Sequence, residues 1–146
     1  MELCEPKMYC AQELSPDALQ ELIDGEWEDA AVFLTLSRRQ EGGRNEACLR
    51  RLYEEEQAHA DCLKSLYTLT TRAHPTQRTV PDETEPAEAV LRVCYGRQMR
   101  RLAAYEARSK EPSYGAVFTR LAQQEREHCR IVLDLIKKTK KKTAAT

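Results

Sequence analysis

Residues 49–66 read LRRLYEEEQAHADCLKSL, and residues 118–135 read FTRLAQQEREHCRIVLDL. In both stretches apolar residues recur at alternating steps of three and four, the spacing of one buried helix face. A glutamate, with a histidine three residues after it, interrupts each face at its centre. The pattern predicts two amphipathic helices whose buried faces are Leu49, Leu52, Glu56, His59, Leu63, Leu66 and Phe118, Leu121, Glu125, His128, Val132, Leu135.

The two stretches belong to an internal repeat. Each face residue of the second stretch lies 69 positions after its counterpart in the first. A second pair of apolar faces matches at an offset of 72, and each of them has a single polar residue at its centre, Glu26 or Gln98. Repeats at a fixed offset indicate a fold built from similar units. The faces of this second pair are Leu19, Ile23, Glu26, Ala30, Phe33 and Leu91, Tyr95, Gln98, Leu102, Tyr105.

Helix signals place the ends of the four predicted helices. Ser15 is a good N-cap, and the proline and aspartate after it favour a helix start. Glycines at 42 and 43 and prolines at 75, 81, 86 and 112 interrupt the helical pattern. We expect helices over about 15–40, 45–69, 86–110 and 113–139. The organisation is therefore an N-terminal segment (1–14), a helical domain (15–139) and a frayed basic tail (140–146).

The lengths of the connections predict the topology. Short turns join helices 1 and 2 and helices 3 and 4, so each pair should form an antiparallel hairpin. A helix of about 25 residues is roughly 37 Å long. The connection at 70–85 can reach about 50 Å when extended, enough to run the length of the bundle. We therefore expect an all-α antiparallel four-helix bundle with a long crossover between helices 2 and 3.

Composition excludes several classes of protein. The 146 residues include 23 basic and 24 acidic side chains, a balance that gives no electrostatic case for binding nucleic acid. No apolar run approaches the ~18–20 residues of a membrane span, and the N-terminus lacks the pattern of a secretion signal. The six cysteines form no C-x-x-C pair and are expected as reduced thiols. A cytoplasmic helical protein is the expectation.

The central polar residues need a counter-charge. An unpaired buried carboxylate or imidazolium loses several kcal/mol of hydration, and the four faces contain no lysine or arginine. A pair of divalent metal ions would neutralise them, because Glu-x-x-His places two ligands on one side of a helix. The alternative is that the glutamates are solvated and each histidine is satisfied nearby. The candidate ligands are Glu26, Glu56, His59, Gln98, Glu125 and His128.

With these motifs the chain resembles the rubrerythrin-type branch of the ferritin-like superfamily over about residues 15–138. The resemblance is carried by the two Glu-x-x-His motifs and by Glu26 with an aromatic residue seven positions later. It implies two iron ions, with Glu56 and Glu125 bridging them, His59 and His128 as terminal ligands and Glu26 as a terminal carboxylate. Manganese or zinc are alternatives. Gln98 stands where the family has a fourth glutamate, which predicts a weaker second site.

The resemblance implies an oxidoreductase that reacts with peroxide or dioxygen. The rubredoxin-like centre of full rubrerythrins needs two C-x-x-C pairs, so we expect an external redox donor protein. Two alternatives remain: non-catalytic binding or storage of iron or manganese, and a degenerate bundle with a structural role. The oligomeric state stays open, a homodimer included.

Other polar side chains near the predicted site are weaker candidates. Cys94 precedes Gln98 by one turn, and Cys62 follows His59 by nearly one, so either thiol is placed to approach the site. Tyr95 and Tyr105 lie on the helix 3 face, where each has two interpretations: a hydrogen bond to a ligand carboxylate, or core packing. Cys129 follows His128 directly and is expected to point away from the buried face of helix 4.

Overall fold

The computed structural model describes residues 14–145, with side chains described as far as residue 140. The described residues form four α-helices and no strand: α1 (Pro16–Arg39), α2 (Glu46–Thr71), α3 (Ala87–Arg108) and α4 (Gly115–Ala145). Nearly all of the predicted N-terminal segment, with Cys4 and Cys10, lies outside the described residues. The helix ends agree with prediction within a few residues, except that α4 continues past Thr139 to Ala145.

Local signals explain where the first two helices begin and end. The Ser15 hydroxyl accepts a hydrogen bond from the Ala18 amide at 3.1 Å, and Pro16 occupies the first turn. Gly42 has a φ of +77°, a backbone conformation that favours glycine, and it lies in the turn between α1 and α2. Helix α2 ends at Thr71, and the residue after it, Arg72, has a φ of 60°, outside the helical region. The predicted Ser15 cap and Gly42 turn are thus used, whereas the cap of α2 at Arg72 was not predicted.

The helices pack so that two apolar clusters are separated by a polar layer. The first cluster combines the early part of α1, the later part of α2, the end of α3 and the start of α4, with Leu19, Leu63, Tyr105 and Phe118 among its members. The second combines the opposite ends of the same helices. Between them is a set of buried polar residues, here called the polar layer: Glu26, Asp29, Glu56, His59, Gln98, Arg101, Glu125 and His128.

The segment between α2 and α3 lies along α1. The Gln20 side chain exchanges two hydrogen bonds with the backbone of Thr76, each 2.9 Å long. At the other end of α1, Arg39 donates to the carbonyl oxygens of Glu83 and Glu85 at 2.6 and 2.8 Å. The segment therefore contacts α1 near both of its ends.

None of the four described helices combines the length and the hydropathy that a membrane span requires. Cys48, Cys62, Cys94 and Cys129 are free thiols. The expectation for Cys129 was wrong, because its side chain is buried in the first apolar cluster. The buried face of α4 is thus wider than one line of residues, as is usual for a helix packed on two neighbours.

Candidate metal centre

The two histidines of the repeated motifs meet in the polar layer. His59 on α2 and His128 on α4 are stacked, with ring centroids 5.1 Å apart and an angle of 23° between the rings. Glu56 and Glu125, one turn before them, are completely buried. Ligand atoms of these four residues all lie within 4.8 Å of one another. The structure therefore assembles both motifs into one buried group that can hold a metal ion.

His59 turns its Nδ1 atom toward the carboxylates. Its other ring nitrogen, Nε2, lies 2.7 Å from Gln124 Oε1, which only accepts hydrogen bonds. Nε2 therefore carries a proton, and this contact fixes the orientation of the ring. Nδ1 lies 3.4 Å from Glu26 Oε2, 3.6 Å from Glu125 Oε1 and 3.7 Å from Glu56 Oε1. It makes no hydrogen bond with any described residue.

His128 is oriented in the same way by a residue on the opposite helix. Its Nε2 lies 2.7 Å from Glu55 Oε1, and its Nδ1 lies 2.6 Å from Glu56 Oε1. Both histidines thus direct Nδ1 into the layer and bind an acceptor through Nε2. Metal-ligating histidines have this arrangement, because the outer acceptor fixes the tautomer and the ring orientation.

Glu55 and Gln124 were not predicted as site residues. They precede the two motif glutamates directly, and their separation of 69 positions is the offset of the repeat itself. Each reaches across to the histidine of the other helix. The 69-residue offset would have identified Glu55 and Gln124 if polar residues beside the buried faces had also been compared.

The separations around His59 Nδ1 fit shared coordination better than hydrogen bonding. Two ligand atoms bound tetrahedrally at about 2.1 Å from one ion are about 3.4 Å apart. The three distances from Nδ1, 3.4 to 3.7 Å, are close to this value. Glu26 Oε1 and Glu125 Oε1 are also buried with no hydrogen-bond partner among the described residues. Such unpartnered oxygens are what a bound cation would satisfy.

The crowding of carboxylates shifts their pKa values. Burial opposes the charged imidazolium of His59, but Glu125 and Glu26 outweigh burial and raise its pKa to about 10. Burial, together with the charge of Glu26, raises the pKa of Glu125 to about 7. Burial and the charges of Glu125 and Glu26 raise the pKa of Glu56 well above its ordinary range. The layer therefore retains protons at neutral pH, and these must leave when a cation binds.

Arg101 brings into the core a positive charge that the four predicted faces do not contain. Its side chain is buried, and Nη2 lies 2.6 Å from Asp29 Oδ2, 2.8 Å from Glu125 Oε2 and 3.0 Å from Glu56 Oε2. Burial disfavours the charge on Arg101, but the surrounding carboxylates outweigh it and raise its pKa. Arg101 was missed because the predicted face of α3 contained Leu102 but not its neighbour. The observed buried face is wider and includes both residues.

Asp29 is the second residue that the sequence interpretation missed. It is fully buried on α1, one turn after Glu26, and its other oxygen lies 2.7 Å from Arg97 Nη2. Asp29 and Arg101 are related by the offset of 72, as Glu26 and Gln98 are. An aspartate and an arginine at equivalent positions of two buried faces were a usable signal for an ion pair across the core.

The predicted ligands on α1 and α3 have different surroundings. Glu26 accepts a hydrogen bond from the Tyr105 hydroxyl at 2.5 Å. Burial opposes its charge, but Arg101 and His59 outweigh burial and lower its pKa to about 2. Gln98 is buried one turn before Arg101, and neither atom of its amide has a hydrogen-bond partner among the described residues. Its oxygen is therefore free to coordinate a cation.

The structure separates the weaker candidates. Tyr105 bonds a predicted ligand, as one of its two interpretations required, whereas Tyr95 is only half-buried. Cys94 is fully buried, and burial together with the neighbouring Asp29 charge raises the pKa of its thiol well above the ordinary value. Cys62 is exposed, so its thiol does not face the polar layer.

No protein-family model, curated protein or solved structure matches this chain. What the chain does must therefore be inferred from the polar layer and its surroundings.

Proposed function

We propose that this chain is a metal-binding four-helix bundle of the ferritin-like kind, with antiparallel helix pairs and a crossover between α2 and α3. Each apolar cluster combines the early part of one helix with the late part of its partner, which supports the antiparallel pairing. The crossover is supported by the contacts of Thr76 with Gln20 and of Glu85 with Arg39, at opposite ends of α1.

One observation carries the metal-binding function. Both histidines direct Nδ1 toward buried glutamates while an acceptor on the opposite helix holds Nε2. A histidine that only filled space would not need this arrangement twice, at positions related by the repeat. Nitrogen and carboxylate ligands without a thiolate suit iron, manganese or zinc. We propose iron as the resident metal, with manganese as the next choice.

Direct metal analysis tests this proposal. The protein is loaded anaerobically with Fe²⁺, Mn²⁺ or Zn²⁺, desalted, and its bound metal measured by mass spectrometry. We expect wild-type protein to retain metal, and His59→Ala and His128→Ala to lose most of it. His74→Ala is the matched control, because His74 is an exposed histidine outside the helices. Equal retention by all four proteins, or none by wild type, would contradict the proposed function.

A second candidate function is reduction of peroxide or dioxygen, with electrons from a separate donor protein. It is favoured by the burial of the ligands, since a bound iron would supply electrons and Lewis acidity away from bulk water. In this function Tyr105 holds the Glu26 carboxylate in place, and Gln124 and Glu55 hold the imidazoles.

Rapid mixing separates this activity from simple storage and from a structural bundle. Anaerobic Fe²⁺-loaded protein is mixed with hydrogen peroxide, and the ultraviolet absorbance of ferric iron is followed against free Fe²⁺ at equal concentration. Oxidation faster than in free solution, and lost in His59→Ala, is the expected result for the oxidoreductase. Bound metal that reacts no faster than free metal would identify a binding protein, and no bound metal a structural bundle.

A further inference from the structure

We infer that Arg101 occupies the place of the second metal ion, so that the centre binds one divalent cation where the family resemblance implies two. This inference rests on the proposed metal-binding function. It concerns the number of ions and the residue that replaces one of them.

The oxygens of the two motif glutamates divide between two cationic positions. Oε2 of Glu56 and Oε2 of Glu125 lie 3.0 and 2.8 Å from Arg101 Nη2. Oε1 of both residues lies on the histidine side, 3.7 and 3.6 Å from His59 Nδ1. Each carboxylate thus bridges two positions, as it would between two metal ions, but one of these positions is filled by a guanidinium nitrogen.

Arg101 contacts carboxylates from several helices, as a metal ion in a helical bundle would. Nη2 contacts carboxylates from three helices: Asp29 of α1, Glu56 of α2 and Glu125 of α4. Nε lies 3.3 Å from Glu26 Oε2. A single nitrogen therefore holds together the anions that would otherwise repel one another, which is the structural role of a cation.

Charge counting leaves room for one divalent ion. The carboxylates buried in the polar layer are Glu26, Asp29, Glu56 and Glu125. Arg101 and Arg97 contact them and together supply two positive charges. Two negative charges remain once the histidines are neutral, and one divalent ion cancels them. A second divalent ion would leave two uncompensated positive charges in the core, which is costly.

A glycine on α1 provides the space that the guanidinium of Arg101 occupies. Gly25 lies inside a helix, where glycine is less favourable than alanine. A Cβ atom at this position would lie only 2.9 Å from Arg101 Nη1. The missing side chain therefore opens the space that Arg101 fills.

A comparison of the two repeated helices, α1 and α3, also shows a basic residue in place of an acidic one. Helix α1 contributes Glu26 and Asp29 to the layer, whereas α3 contributes Gln98 and Arg101 at the equivalent positions. Two acidic side chains on one side thus correspond to an amide and a guanidinium on the other. The remaining metal position is the one bordered by His59 Nδ1, with Glu26 Oε2 3.4 Å away and the unpartnered Glu125 Oε1 3.6 Å away.

Metal stoichiometry tests the inference. Wild-type protein is titrated with Mn²⁺ and its bound metal counted, with one ion per chain expected. Arg101→Gln removes the charge and should raise the count to two. Arg101→Lys keeps a cation and should leave it at one. Arg100→Gln is the matched control, because Arg100 is an exposed arginine on the same helix, and its count should also be one.

A measurement on the wild type alone covers the case in which Arg101→Gln does not fold. A lone Mn²⁺ gives an uncoupled electron paramagnetic resonance spectrum even with excess metal, whereas two ions bridged by carboxylates give a coupled one. Two ions in wild type, or a coupled spectrum, would overturn this inference and leave the proposed function intact. One ion in both wild type and Arg101→Gln would also overturn it. No bound metal in any of these proteins would overturn the proposed function itself.

Discussion

The hydroxyl of Tyr105 shows how a single atom positions Glu26, one of the proposed metal ligands. It donates to Glu26 Oε2 at 2.5 Å inside a layer closed to water, while Tyr105 itself is completely buried. The same Glu26 oxygen lies 3.4 Å from His59 Nδ1. Tyr105 therefore fixes which oxygen of Glu26 faces the histidine.

Tyr105→Phe should reduce the free energy of unfolding by about 1–3 kcal/mol, because it leaves a buried carboxylate oxygen without its donor. Urea unfolding of the metal-free protein measures this loss. Tyr67→Phe is the control, since Tyr67 is half-buried and packs against the first apolar cluster, and its loss should be below about 0.5 kcal/mol. Equal losses in the two variants would show that the Tyr105 hydroxyl contributes nothing specific.

Metal affinity should rise with pH between about pH 6 and pH 9. The pKa of His59 is raised to about 10 in the metal-free protein, so at neutral pH its imidazole holds a proton that a metal ion must displace. Release of one proton corresponds to about a tenfold gain in affinity per pH unit. Titration calorimetry in buffers of different ionisation enthalpy counts the protons released. An affinity independent of pH would show that His59 is already neutral.

At the scale of the helix, the residues that apolar spacing placed in the core are buried on α2 and α4. The core also contains charged residues that the spacing did not predict. Every face residue of α2 and α4 is buried, and both Glu-x-x-His motifs converge as expected. Asp29 and Arg101 were missed because each lies one position before a predicted face residue, Ala30 or Leu102. A charged residue beside an apolar face is normally expected to be exposed to solvent. Only the fold shows that Arg101 extends inward past Gly25 to carboxylates from three other helices.

A pair of glycine substitutions tests the close packing of α1 against Arg101. Glycine to alanine inside a helix ordinarily stabilises by roughly 0.5–1 kcal/mol. At Gly96 of α3 the nearest atom to a new Cβ would be Arg100 Nη1 at 3.7 Å, an ordinary contact, so Gly96→Ala should show this gain. At Gly25 the new Cβ would lie 2.9 Å from Arg101 Nη1, so Gly25→Ala should lower stability. A similar gain at both sites would mean that Arg101 moves aside freely.

For the whole molecule, the proposed metal binding predicts that stability depends on the cation. Buried carboxylates that repel one another destabilise the metal-free fold, and an ion that binds only the folded state stabilises it by mass action. Addition of Mn²⁺ or Fe²⁺ at about 100 times Kd should raise the melting temperature on the order of 5–10 °C, and a chelator should reverse the gain.

The control for this melting experiment is His59→Ala, which removes a ligand and should no longer respond to metal or chelator. His74→Ala should respond as the wild type does, because His74 is exposed. A wild-type melting temperature indifferent to both additions would favour the structural bundle, with Arg101, Arg97 and the protons held in the layer balancing the carboxylates.

The connection along α1 has a consequence for symmetry. Two separate copies of one helix hairpin could assemble the same pair of Glu-x-x-His motifs, but any substitution would then be made twice, and an arginine at one inward position would face its own copy. Because residues 72–86 join the two helix pairs into one polypeptide, the second pair can carry Arg101 at the position where the first carries Asp29. The covalent connection thus permits a polar layer whose two halves differ in charge, although the helices that form them are related by the repeat.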